Sequence, residues 1–189
     1  ERREYGRIIQ SNTELFTSLV DDILDLGSMN KGKYHLNIAP CKVNETCRKA
    51  ISSVLMRCPD GVKMYMTSDV DDDFTVTTDG KRMQQVMMNY LTNSVKHTFS
   101  GEIHLHATKD IVPGMLTLSV TDTGDGVPVE QAEEIFSRFE HLHDNTMKAG
   151  IGLAICRVIA KQLHGEVKLD TSYQGKGARF IFNVPLETP

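Results

Sequence analysis

No run of 18 apolar residues occurs in the 189-residue chain, so nothing in it reads as a membrane-spanning helix. Its first residues, Glu1-Arg2-Arg3-Glu4-Tyr5, are not followed by the apolar core of a secretion signal. Basic charge is not concentrated either. The 21 Lys and Arg are dispersed and are outnumbered by 25 Asp and Glu, for a formal charge of −4, so the electrostatic footprint of a nucleic-acid binder is missing. Any phosphate site must therefore be local. Cysteine is scarce: Cys41, Cys47, Cys58 and Cys156 show no CxxC spacing, and a chain this long folds without staples, so reduced thiols in a cytoplasm are expected. What remains, 40% hydrophobic and 24% charged, is ordinary globular composition, which excludes collagen-like, disulfide-scaffold and disordered classes. The sequence reads as soluble, without direct membrane contact. Because it opens without Met in a charged helical pattern, it also reads as a piece of something longer.

From Tyr5 to Met29, apolar residues recur every seven positions, with Ile9, Phe16 and Ile23 in one register and Leu19 and Leu26 in the other. Ile8, Leu15 and Leu24 widen the stripe, which favours a bundle of several helices and predicts homodimerisation through this segment; the plainer alternative is an amphipathic helix packed on its own domain. Gly27 and Lys31-Gly32-Lys33 break the helix, giving a bundle helix over residues 1–30, a connector over 31–40 and a separate domain over 41–189.

Beyond Pro40 the hydrophobic period alternates. A helix is expected from Asn44 to Arg57, strands at Val62–Thr67 and Phe74–Thr78, and a long helix capped by Asp79 and running to His97. Ile103–Thr108 and Leu116–Thr121 form a hairpin around Pro113-Gly114. A short helix opens after Pro128, another spans Ile151–Leu163, and Glu166–Thr171 and Arg179–Val184 close the chain as a second hairpin. The implied class is α+β: a two-layer sandwich of a mixed, mostly antiparallel sheet with helices on one face, preceded by the bundle helix.

Four segments carry polar residues and glycines at spacings that packing does not demand. On the long helix, Asn89, Asn93 and Lys96 fall on one face, an arrangement that suits hydrated Mg²⁺ and its phosphates but also describes a plain solvent-facing stripe. Asp122-Thr-Gly124-Asp-Gly126-Val127 follows a strand. Its first carboxylate can accept from an exocyclic amine and its glycines let backbone approach a flat ring, although the same string also makes an ordinary turn or a calcium-loop fragment. Lys148-Ala-Gly150-Ile151-Gly152-Leu153 leads into a helix whose free N–H groups suit an anion. Gly175-Lys-Gly177-Ala178-Arg179-Phe180 is the fourth segment, and alone it is no more than a hairpin turn.

Taken in order, these segments resemble the catalytic ATP-binding domain of sensor histidine kinases, within the superfamily shared with gyrase-, Hsp90- and MutL-type ATPases. Gln85 to Thr98 is similar to the N box, Asp122 to Val127 to the first glycine box, Ile135-Phe136-Ser137-Arg138-Phe139 to the F box and Gly150 to Ala154 to the second glycine box. Residues 5–29 resemble the second helix of the dimerisation and phosphotransfer hairpin. The resemblance implies a Bergerat-type fold that binds ATP and Mg²⁺. Asn93 would hold the metal, with Asn89 and Lys96 near the metal and phosphates. Asp122 would accept from the adenine amino group, and Gly124 and Gly126 would line the base. Arg138 would stabilise the transferring phosphoryl group, while Lys148, Gly150, Ile151, Gly152 and Leu153 would meet the triphosphate. Residues 141–149 would form a short lid. His141 and His143, like His104 and His106, are expected as surface residues rather than metal ligands.

The sequence departs from that pattern in three places. The helix bearing the phosphoacceptor histidine lies before residue 1, so none of the seven histidines suits that role. Lys148 and Ala149 stand where Gly and often Thr open the second glycine box, and Ala178 replaces a usual Ser or Thr. ATP-hydrolysing relatives place a Glu base where this chain has Asn89, a neutral amide unable to take a proton, so hydrolysis is disfavoured and a histidine kinase is expected. It would phosphorylate a histidine on the absent helix for relay to an Asp of a response-regulator receiver domain. The alternative, motivated by Lys148, Ala149 and the short lid, is a degenerate nucleotide-binding or scaffolding module without phosphotransfer.

Overall fold

The chain divides into two units, Glu1–His35 and Leu36–Pro189. The computed structural model describes residues 35–109, 111–137 and 151–188, so the expected bundle helix lies outside the described residues. The second unit starts earlier than position 41. Asn37 donates its backbone N–H to Asp79 Oδ2 at 2.9 Å, and Ala39 and Pro40, expected in the connector, instead open strand β1 (Ala39–Lys42). β1 pairs antiparallel with β3 (Thr75–Thr78), with Pro40 opposite Thr77. A proline is tolerated there because β1 has a partner on one side only. The other edge of β3 is occupied by the C-terminal segment, through Thr77 N–H to Leu186 O at 2.9 Å and Thr188 N–H to Thr77 O at 2.8 Å.

Helix α1 (Val43–Leu55), strand β2 (Val62–Ser68) and helix α2 (Gly80–His97) lie where the periodicity places them. Asp79 caps α2: Oδ1 accepts from Lys81 N at 3.1 Å and from Arg82 N at 3.2 Å, which answers two of the four orphan donors of a helix start. The hairpin of β4 (Gly101–Lys109) and β5 (Met115–Asp122) is antiparallel as expected, as are β6 (Glu166–Leu169) and β7 (Arg179–Pro185). α3 spans Ile151–Gln162. The short helix expected after Pro128 is instead two 3₁₀ turns, Val129–Gln131 and Glu134–Phe136. Three-residue turns fall below what a 3.6-residue period can distinguish, and Ile135 and Phe136 still point inward.

The main sheet runs β2-β4-β5-β7-β6, with β2 parallel to β4 and every other pair antiparallel. Its register places Met66, Leu105, Val120, Phe180 and Leu169 in one row across the inner face. α1, α2 and α3 cover that face. Tyr90 of α2 lies 5.3 Å from Phe180, centroid to centroid, and donates its hydroxyl to Ile181 O at 3.0 Å. Burial pushes that phenol well above its usual pKa, so it stays a neutral donor. Alternation then puts Tyr65, His104, Thr121 and Arg179 on the opposite face, which no described helix covers. No described helix is long and apolar enough to cross a membrane.

Candidate functional site

The two-residue period of β5 that sends Leu116, Leu118 and Val120 inward sends Asp122 inward too, opposite Ile103. A carboxylate that is only 3% exposed is costly unless its lone pairs are met. Here they are. Ser94, from the last turn of α2, donates its hydroxyl to Oδ2 at 2.8 Å, and Gly124 N–H and Ala178 N–H both donate to Oδ1, at 3.0 and 3.2 Å. Asp122 also donates its own N–H to Ala178 O at 2.9 Å.

Above this carboxylate a cleft opens between α2, the 123–137 segment, α3 and the start of β7. Asn93, Lys96, Asp122, Gly126 and Leu153 line it together, five of the residues the sequence singles out. Asn93 immediately precedes Ser94, the residue bonded to Asp122, and Lys96 lies three residues further toward the exposed end of α2. Gly124 contributes differently: a Cβ there would lie 2.8 Å from the His97 carbonyl carbon and 2.9 Å from Thr98 Oγ1, so it lets the loop press against the end of α2. The Thr98 hydroxyl beside it is buried without a hydrogen-bond partner among the described residues.

Asn89 does not line the cleft. Its Nδ2 donates to Gly152 O at 3.0 Å and approaches Cys156 Sγ at 3.6 Å, tying α2 to the first turn of α3. A Cβ on Gly152 would sit 3.3 Å from Asn89 Cγ, so the close approach itself favours glycine. Ile151 is the first residue of α3, while Arg138, Lys148 and Gly150, with the expected lid and with His141 and His143, lie outside the described residues.

His97, Val127, Pro128, Gln131, Ile135, Ala178 and Phe180 complete the lining; Val127, Ile135 and Phe180 stand in the quoted motifs, but no spacing marks them as walls. Phe136 packs edge-on to Phe180 with centroids 6.5 Å apart. Arg157 of α3 donates to Ser137 Oγ at 2.6 Å, which fixes the F-box turn against α3. On the other face of the sheet, His104 Nε2 and His106 Nδ1 both meet Thr67 Oγ1, at 2.6 and 2.7 Å, and His106 Nε2 meets Asp69 Oδ2 at 3.1 Å. Among the described residues no cluster of three metal-ligating side chains is present.

The donor set fits a nucleotide with its metal. An apolar slot with one buried acceptor suits a flat base, an amide oxygen and an ammonium at its mouth suit Mg²⁺ and phosphates, and a helix start faces the same opening.

Comparison with known proteins agrees with this geometry. The family described as histidine kinase-, DNA gyrase B- and HSP90-like ATPase matches residues 78–188. The chain is similar to the adaptive-response sensory kinase SasA of Thermosynechococcus vestitus, 32% identical over 181 residues covering 94% of this chain and 47% of that protein. It is also similar to the aerobic respiration control sensor protein ArcB of Escherichia coli, 27% identical and covering 97% of this chain and 24% of that one. Among solved structures, full-length ShkA in complex with AMPPNP superposes with a TM-score of 0.78 at 27% identity, covering 97% of this chain and 38% of ShkA. The chain thus spans less than half the length of each of these relatives. The match over residues 78–188, more than half of the sequence, shows that the chain belongs to the histidine kinase-, DNA gyrase B- and HSP90-like ATPase family.

Proposed function

We propose that this chain is the ATP-binding catalytic part of a protein histidine kinase, and that it presents the γ-phosphoryl group of Mg-ATP to a histidine on a helix preceding residue 1. The observation that carries the proposal is Asp122, clamped by three donors at the base of an apolar-walled cleft with Asn93 and Lys96 at its mouth. Bound Mg-ATP supplies the activated phosphoryl group. Asp122 accepts from the adenine amino group, Gly126 lets backbone lie against the ring, and Leu153, Ile135 and Phe180 exclude water from it. Asn93 offers its amide oxygen to the metal, and Lys96 neutralises phosphate charge. The start of α3 at Ile151 and Gly152 offers its backbone N–H groups to the triphosphate, and the sequence motif assigns Gly150, Lys148 and Arg138 to the same phosphates.

The proposal includes no general base for water. Asn89 is a neutral amide whose NH₂ already donates to Gly152 O, whereas a neutral imidazole is nucleophilic at pH 7 without help. The remainder follows from the same reading: homodimerisation through residues 5–29, a cytoplasmic location, and onward transfer to a response-regulator Asp.

The test uses a longer chain that includes the upstream helix, incubated with Mg²⁺ and γ-labelled ATP beside an Asn93→Asp variant. Acid-labile, base-stable label on protein, lost in the variant, is the expected result. Nucleotide binding without label would overturn the kinase reading and leave a binding module.

A further inference from the structure

We propose that Ser94 is a positioning residue that sets the purine selectivity of the cleft, by leaving the Asp122 carboxylate a single free acceptor direction. The inference rests on the reading of the cleft as an adenine site. Ser94 is fully buried in the last turn of α2, where a serine hydroxyl would ordinarily bond back to a carbonyl one turn earlier. Instead it reaches across to Asp122 Oδ2 at 2.8 Å.

The count of lone pairs gives the consequence. A carboxylate has about four acceptor positions. Gly124 N–H and Ala178 N–H take the two on Oδ1, and the Ser94 hydroxyl takes one of the two on Oδ2. One acceptor remains, on a residue that lines the cleft among Leu153, Ile135 and Phe180. The Ser94 proton is spent on the carboxylate, so Ser94 has no donor left to offer the base. A base with an amino group there makes its bond. A base with a carbonyl there sets oxygen against oxygen in a low-dielectric slot, which is the costly arrangement.

Replacing Ser94 by Ala removes the hydroxyl with almost no change in shape. Oδ2 then has two open positions, the carboxylate loses its third tether, and a water molecule can take the hydroxyl's place. Such a water turns freely and can donate to a carbonyl, so the variant tolerates guanine better than the parent does. ATP affinity is expected to fall about 3- to 10-fold and GTP affinity to hold or rise, so that the ATP-over-GTP preference drops by at least about threefold.

The experiment is calorimetric titration of the full chain and of Ser94→Ala with Mg-ATP and with Mg-GTP, with thermal melts of both proteins lacking nucleotide. If the parent prefers ATP and the variant loses the preference, the inference stands. A variant that binds both nucleotides more weakly but in the same ratio shows a purely structural role for Ser94 and overturns the inference, while the adenine site survives. A parent that does not distinguish ATP from GTP overturns the adenine reading and this inference with it. Should Ser94→Ala melt below the titration temperature, Ser94→Cys carries the test. It keeps the side-chain shape, with a larger sulfur that donates only weakly, so its ATP-over-GTP ratio must also fall, and an unchanged ratio refutes the inference.

Discussion

Gly177→Ala should be far more damaging than an ordinary glycine replacement, and Gly114→Ala provides the calibration. Both glycines hold positive φ, +88° at Gly177 and +73° at Gly114. An alanine at either position therefore carries left-handed backbone strain of about 1 kcal/mol. They differ in what a Cβ would meet. At Gly114, in the β4–β5 turn, nothing lies within 4 Å. At Gly177 the added carbon would overlap the Asp122 carbonyl oxygen, sit 2.6 Å from its carbonyl carbon and lie 2.8 Å from Oδ1. The neighbour is strand backbone and cannot swing aside, so the end of β5 or the β6–β7 turn must shift, adding about 1–3 kcal/mol of overpacking. Gly114→Ala is thus expected to lose about 1 kcal/mol and Gly177→Ala about 2–4 kcal/mol in urea unfolding. The same shift pulls Ala178 N–H from Asp122 Oδ1, so Gly177→Ala should also weaken ATP binding by about tenfold or more, against no change for Gly114→Ala. Equal destabilisation of the two variants, or normal ATP affinity in Gly177→Ala, would refute the reasoning.

Asp79→Ala removes the acceptor of Lys81 N, Arg82 N and Asn37 N together, and should cost about 2 kcal/mol in denaturant unfolding, with Asp79→Asn recovering most of it. Thiol labelling at pH 8 should modify the half-buried Cys41 and Cys58 first and leave the buried Cys47 and Cys156 until denaturant is added. Burial pushes the Cys47 thiol up to about 12, so a fast third thiol in the native protein would contradict the structure. Partial burial, then the nearby His106, hold His104 below its ordinary value of 6.5, with Glu102 opposing and Arg179 assisting. Because the folded value is the lower one, stability is full above pH 6.5 and declines as pH falls toward the folded value. His104→Asn should flatten that acid slope in urea midpoints, and an unchanged slope would exclude His104 as its source.

Residues that act through their own neighbours in sequence were readable; residues that act across the fold were not. Asp79 before a helical period announces α2, and the alternation around Pro113-Gly114 announces the β4–β5 hairpin, because both are local choices of backbone. Val62–Thr67 reads as a strand, yet nothing in its pattern says that it joins β4 in parallel, which is decided by packing under α1 and α2. Pro40 marks an edge strand and a connector with the same signal. Within the site, the three-residue spacing from Asn93 to Lys96 and the strand end at Asp122 mark three residues that the fold brings to one cleft. The bond from Asn89 to Gly152 spans 63 positions and that from Ser94 to Asp122 spans 28, and no spacing rule reaches so far. Ile135 and Phe180 carry no mark that separates the wall of a cleft from a core.

Those long-range bonds make α2 the common support of the site. Ser94 ties it to β5 and Asn89 ties it to the start of α3, while Asn93 and Lys96 project from the same helix into the cleft. A displacement of the first turn of α3 therefore reaches Asn93 through one turn of rigid helix, and a displacement of Asp122 reaches it through the adjacent Ser94. Asp122 in turn joins α2, the 123–126 loop and the β6–β7 turn around one buried charge whose fourth acceptor position is open. A ligand that fills that position stabilises all three segments together, so nucleotide at a hundredfold excess over Kd should raise the unfolding free energy by about 2.7 kcal/mol. Hydrogen-exchange protection should then rise at Ser94, Gly124 and Ala178 in concert. Protection confined to the 123–126 loop would mean that the carboxylate does not couple them.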